Sequence, residues 1–177
     1  MASGATIHRV TIGLSDVDRG VYETLDLRLA RHPSESLRFL VTRMLGYALS
    51  YQDGIAFSKG GISDTDDPPI AVHDPTGILL HWIDVGAPAV ERIHKASKAA
   101  RKVTIFTTNE LATLRERAGE IHRAAAIEVV TLPLKLTDAL EAKLDRTTKL
   151  DIARTEGELY ITVGDDTLEA TLKTDTL

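Results

Sequence analysis

The residues best suited to chemistry are carboxylates on and around an apolar strand. The run "GILLHWIDVG", residues 77–86, ends with Asp84. Ile78, Leu80 and Trp82 share a face with Asp84, and Leu79, His81, Ile83 and Val85 form the other, so the strand reads as covered on both sides. An ionised carboxylate in such a strand is costly unless it is paired, hydrogen-bonded or bound to a cation. It also stands at the carboxyl end of a strand that feeds a helix, where open α/β sheets place ligands. The plain alternative is a strand-end acid that emerges into solvent or caps the next helix.

A cation site needs a second acid close by, and Asp74 in the turn "DPTG" is the tempting partner. If the strands pair about that turn, Asp74 faces Gly77. Asp84 is then about 23 Å further along at ~3.3 Å per residue. The residue opposite Asp84 becomes Asp67 or Pro68, so Asp67 is preferred to Asp74 unless a bulge shifts the register. Otherwise Asp64, Asp66, Asp67 and Asp74 are solvated loop acids. Glu35, in "HPSES", lies almost opposite the apolar stripe of its helix. It faces solvent unless the helix start points at the sheet. The helix "PAVERIHKASKAARK" carries Arg92, Lys95, Lys98, Arg101 and Lys102 against a single acid, Glu91. This is either a solvated basic face with a Glu91–Lys95 pair, or an electropositive helix suited to a phosphate-bearing substrate. His32, His73 and His81 lack metal-ligand spacing and read as strand or packing residues. Trp82 and Phe106 read as core.

The elements that must position these groups follow from hydrophobic period. Alternation in "HRVTIGL" and "VYETLDLRLA", with "SDVDRG" between, predicts an N-terminal β-hairpin over the first thirty residues. From 33 to 53 the period becomes helical, with Leu37, Leu40, Val41, Met44, Leu45 and Ala48 in one stripe and Gly54 as the stop. Strands follow at "IAFSK", "IAVH" and "ILLHWIDV", the first two separated by the acidic loop "GGISDTDDPP". A helix from Pro88 to about Arg101 and the strand "KVTIFTT" complete a βαβ crossover with parallel strands. Residues 109–123 are expected to be helical, "IEVVTLP" a strand and "LTDALEAKL" a short helix. "TKLDIA", "ELYITV" and "TLEATL" form a small C-terminal β-meander. The expectation is one α+β domain spanning 1–177.

Composition narrows the function classes. Of 177 residues 43% are apolar and 27% charged, the balance of a globular chain. Acids outnumber bases by 26 to 21, which argues against bulk attraction to nucleic acid while leaving room for a local basic patch. The chain has no cysteine, so disulfides, thiolate metal sites and cysteine nucleophiles are excluded. No apolar run approaches the ~18 residues of a membrane span, and the first ten residues do not resemble a secretory signal. A cytoplasmic protein is expected. No phosphate loop, Ser-His-Asp signature or His-x-x-Glu-His motif is present.

At "ARHPSES", "WIDVGAPAVERIHKASKAARKVTIFT" and "LDRTTKLDIA" the chain resembles the bacterial YaeQ family, over essentially its whole length. The resemblance implies a core related to the PD-(D/E)xK nucleases, an αβββαβ unit with metal-binding acids on two adjacent strands. It agrees with the element order read above. Carried over by motif, Asp84 matches the acid of the (D/E)xK strand and Glu35 the helix glutamate that often joins such sites. Two positions depart from the pattern. Gly86 stands where the motif has lysine, and the "PD" step reads "DDPP", which leaves Asp67 just before the prolines. Lys95 is the first choice to replace the lysine, about 10 Å down its helix at ~1.5 Å per residue. Arg92 and Lys59 are the alternatives. The implied activity is Mg²⁺- or Mn²⁺-dependent phosphodiester hydrolysis on nucleic acid. Asp84 and Asp67 would hold the ion, Glu35 would support them, and Lys95 would orient water or stabilise charge. The other reading is a nuclease-like fold kept as a binding or regulatory module, with a protein or nucleic-acid partner.

Overall fold

The structure is a computed structural model that describes residues 4–60 and 64–177. Residues 61–63, part of the expected acidic loop, and residues 1–3 lie outside the described residues. The described elements form a mixed α+β fold with two mixed β-sheets and four α-helices. They gather into two compact units: Met1–Leu49 with Leu132–Leu172, and Ser50–Thr131 with Lys173–Leu177.

The first unit begins with the expected hairpin, β1 (Thr6–Asp16) and β2 (Val21–Arg31), in unbroken antiparallel register from Thr6↔Arg31 to Asp16↔Val21. Its alternation is the reason: Val10, Ile12 and Leu14 of β1 are buried with Leu25, Leu27 and Leu29 of β2. A one-residue slip would turn each set toward water. The meander β8 (Thr147–Thr155), β9 (Glu158–Val163) and β10 (Asp166–Thr171) does not stand alone. Strand β8 pairs in parallel with β1, giving one five-stranded sheet ordered β10-β9-β8-β1-β2. Helices α1 (Leu37–Leu49) and α4 (Leu134–Lys143) pack together, with α1 also against β1 and β2 and α4 against β10. Leu40, Val41, Met44, Leu45 and Ala48 of α1 are fully buried. Each large apolar side chain removed from water in this way stabilises the unit by about 2 kcal/mol.

Helix α1 is shorter than its period suggested. Ser36 accepts the amide of Phe39 on its Oγ at 3.1 Å and caps the helix, so Pro33 and Ser34 lie in the preceding turn. Glu35 also falls in that turn, and it points inward rather than to solvent. Arg43 donates to Glu35 Oε1 from Nε at 3.0 Å and to Oε2 from Nη2 at 3.2 Å, and the His32 amide bonds the same Oε2 at 3.1 Å. Both side chains are buried.

The second unit is a six-stranded sheet ordered β11-β7-β6-β5-β4-β3. Strands β3 (Ile55–Phe57), β4 (Ile70–His73) and β5 (Leu79–Val85) run antiparallel in sequence. Helix α2 (Val90–Ala99) then carries the chain to β6 (Lys102–Thr107), which pairs in parallel with β5, the expected βαβ crossover. The core gathers Trp82, Ile93, Val103, Ile105 and Val129. Two elements differ from expectation. The helix anticipated over 109–123 is cut to α3 (Ala112–Glu116) and one 3-10 turn (Ala118–Glu120), with left-handed backbone at Leu111 (φ 55°) before them and at Arg123 (φ 50°) after them. Strand β7 (Glu128–Thr131) is parallel to β6. Its other edge pairs with β11 (Lys173–Thr176), a polar segment without alternation that no periodicity announced.

The Glu35–Arg43 pair carries a stability prediction. Arg43→Met leaves a buried carboxylate without its cation and should lower unfolding free energy by about 3–5 kcal/mol. Adding Glu35→Leu should restore most of that loss, read as the urea midpoint of each variant.

Candidate functional site

Asp84 sits on β5 between Trp82 and Gly86, and only 3% of it is exposed. Three donors hold its carboxylate. Trp82 Nε1 donates to Oδ2 at 2.9 Å, the Val85 amide to Oδ1 at 3.0 Å, and Arg92 Nε to Oδ2 at 2.7 Å. Arg92 reaches back from the first turn of α2, and its guanidinium lies over the Trp82 ring with 5.3 Å to the centroid. Its remaining donors tie down the acidic loop: Nη1 bonds the Thr65 carbonyl and Nη2 the Asp67 carbonyl, each at 2.9 Å. One planar fork thus joins the strand acid, the aromatic beside it and the loop. A lysine, with a single charged nitrogen, cannot match that geometry.

The predicted residues fall into different places. Asp67 is exposed and meets Arg92 through its main-chain carbonyl, not its carboxylate. The register explains this. Strands β4 and β5 pair Ile70 with Ile83, with a shift between Val72 and His73, so one step further Asp84 falls level with Pro69. The turn-based count was two residues off, one from the wider turn that Asp74 closes and one from the shift between Val72 and His73. The Asp74 amide bonds the Ile78 carbonyl at 2.9 Å, and Asp74 Oδ1 accepts from the amides of Thr76 and Ile78 and from Thr76 Oγ1. Glu35 belongs to the first unit and is engaged there by Arg43. Lys95 pairs with Asp66 at 2.6 Å, an exposed contact, instead of with Glu91, which pairs with Arg117. Lys59 is exposed. Asp64 organises the loop from within, its Oδ1 accepting the amides of Asp66 and Asp67. His81 is a buried strand residue bonded to Thr104 Oγ1 across β5 and β6.

Gly86 has its own reason. Its φ is +84°, and its amide bonds the Phe106 carbonyl at 2.9 Å as the chain leaves β5. A side chain in this left-handed conformation is strained, so the backbone path itself selects glycine where the nuclease motif has lysine. Arg92 as the dominant partner was legible only as one of three cations. The Asp84–Arg92 spacing crosses from strand to helix, and no single-element period reports it.

The donor set does not fit a divalent cation as arranged. The Asp84 carboxylate already faces a guanidinium, Asp67 turns its carbonyl inward, and Glu35 is held on both oxygens. Among the described residues no group of three or more His, Asp or Glu side chains is gathered as metal ligands. No helix among them is long and apolar enough to cross a membrane.

Comparisons with known proteins agree with one another. A family model described as "YaeQ protein" matches residues 1–172. The Escherichia coli (strain K12) protein described as "Uncharacterized protein YaeQ" is 30% identical over 175 residues, covering 97% of this chain and 96% of that one. Its Salmonella typhi counterpart is 31% identical over 182 residues, with the same coverage. The crystal structure of YaeQ protein from Xanthomonas axonopodis pv. citri has a TM-score of 0.85 at 30% identity over 97% of both chains. That from Pseudomonas syringae has a TM-score of 0.87 at 28% identity over 98% of this chain and 96% of the other.

Two predictions follow from this geometry. Arg92→Lys keeps the charge but loses the fork. It should destabilise the chain by about 1.5–3 kcal/mol and shift the emission of Trp82, the single tryptophan, both read in one urea titration followed by fluorescence. The second concerns pH. The Thr76 hydroxyl and the Ile78 and Thr76 amides hold the Asp74 carboxyl below its ordinary value of 3.8. The unfolded chain therefore binds that proton more readily. The stabilisation is fully present above the ordinary carboxylate value and is lost as pH falls through the lowered one. Asp74→Asn should flatten that part of the acid limb of a melting-temperature profile.

Proposed function

The chain belongs to the YaeQ family, and on that premise we propose that it is a non-catalytic binding or regulatory protein built on a nuclease-like core. The observation that carries this reading is the Arg92–Asp84 pair. The guanidinium occupies the carboxylate at the position where a PD-(D/E)xK nuclease would seat its metal, and it does so with three further anchors that resist displacement. The succession of β5, which carries the acid, α2 and parallel β6 supports the reading of such a core. The arginine has turned its acid into a structural group. A protein partner fits better than nucleic acid. Arg92 and Lys95 of α2 are engaged by Asp84 and Asp66, and the whole chain carries a net charge of −5.

The second reading, a Mg²⁺- or Mn²⁺-dependent nuclease, is favoured by one observation: Asp84 lies at the carboxyl end of β5, beside parallel β6. It requires Arg92 to leave Asp84 so that Asp84, Asp67 and Lys95 can assemble. Calorimetric titration of Mg²⁺ and Mn²⁺ into wild type and Asp84→Asn, with a cleavage screen on single- and double-stranded DNA and RNA, separates the two. The binding-protein reading expects no heat distinguishing the two proteins and no cleavage. Metal-dependent cleavage that disappears in Asp84→Asn would overturn it.

A further inference from the structure

The five-stranded sheet has one face covered by α1 and α4. The residues that alternate outward on the opposite face form a shallow trough of about 760 Å³. Its shape follows from register. Tyr22, Ser15, Ala153 and Tyr160 stand side by side across β2, β1, β8 and β9. Two tyrosines are therefore separated by two small residues, and three strand spacings put their backbones about 14 Å apart. In the adjoining row Gly13 stands beside Asp151. A Cβ at Gly13 would run into the Asp151 carboxylate, so the glycine is what lets that acid lie across the floor.

This face is unusual in both polarity and charge. Tyr22 is 62% exposed and Tyr160 41%, two of the five exposed large hydrophobic side chains among the described residues. Among the described residues Tyr22, Tyr160 and Asp151 have no hydrogen-bond or ion-pair partner. Glu169 stands beside Tyr160 on β10, and Glu158 one row further on β9. The two trough rows hold no lysine or arginine, and the nearest cation on this face, Lys149, lies in the next row, beside Thr11. Aromatic faces flanking an unpaired carboxylate match one chemistry in particular. A guanidinium stacks on tyrosine through its plane and bonds a carboxylate through its edge.

We propose that this outer face is a docking surface for a basic, arginine-bearing segment of a partner protein. The charge of the trough selects the occupant: Asp151, Glu158 and Glu169 repel an acidic chain or a phosphate backbone. A width of about 14 Å admits one extended segment or one helix, whose diameter is about 10–12 Å. The surface belongs to the first unit alone, so it stands whether or not the Asp84 centre cleaves anything.

The test uses the full chain and three fluorescent probes: a short arginine–serine peptide, a matched glutamate–serine peptide and a single-stranded oligothymidylate. Anisotropy should show binding of the arginine peptide and not of the other two, and amide NMR shifts should concentrate at Gly13, Ser15, Asp151, Ala153 and Tyr160. Asp151→Asn and Tyr22→Ala together should weaken that binding roughly fivefold or more, with circular dichroism unchanged. Should the double variant lose its fold, Asp151→Asn alone should still weaken binding. Equal binding of the glutamate peptide or the oligonucleotide, shifts scattered over the surface, or undiminished affinity in folded variants would overturn the proposal.

Discussion

A carboxylate placed in a strand covered on both faces has to be compensated, and the second unit is arranged around the compensation. Asp84 cannot shed its charge into solvent, so the unit supplies a cation from the neighbouring helix, an indole N–H from its own strand and the next backbone amide. Arg92 satisfies the acid with one edge of its fork and the loop carbonyls of Thr65 and Asp67 with the other. Strand β5, the start of α2 and the loop before β4 are therefore held to one another by a single planar group. Such a pair contributes less to net stability than to geometry, because desolvation offsets most of its attraction. What it supplies is a fixed position for three chain segments.

The same solution recurs in the first unit. Glu35 is buried in the turn before α1 and is met by Arg43 from within that helix, with the His32 amide completing the set. In both units an acid that a motif would assign to metal is bound by an arginine's two-pronged edge or its Nε. Of the other acids, Asp64 and Asp74 hold local loop and turn structure, and the exposed Asp66 pairs with Lys95 of α2. The outer sheet face shows the opposite case, since Asp151 has no hydrogen-bond or ion-pair partner among the described residues.

Much of the secondary structure was legible because it depends on nearest neighbours along the chain. Val10, Ile12 and Leu14 against Leu25, Leu27 and Leu29 announce a hairpin by alternation alone, and the stripe through Met44 announces α1. The βαβ step through Asp84 was equally visible from strand, helix and strand spacing. What failed depended on single backbone conformations or distant pairing. A segment whose composition suits a helix, bounded by left-handed Leu111 and Arg123, stops as α-helix at Glu116. The wider turn at Asp74 and the shift between Val72 and His73 moved the register and took Asp67 away from Asp84. The parallel pairing of β8 with β1 joins segments more than a hundred residues apart, and β11 gains its strand identity only from the free edge of β7.

By itself the sequence determined most of the strands and helices, that Asp84 is an acid in an apolar strand, and that a glycine stands two residues later. These properties follow from side-chain period and residue type, which are local. Only the tertiary structure decided the partner of that acid, because α2 folds back over β5 and aims Arg92, not Lys95, at its carboxylate. It also decided why a glycine stands at 86, since the path out of β5 takes positive φ there. A charge in a strand states a need for compensation. Which group meets that need is set by packing between elements, and that is written in three dimensions.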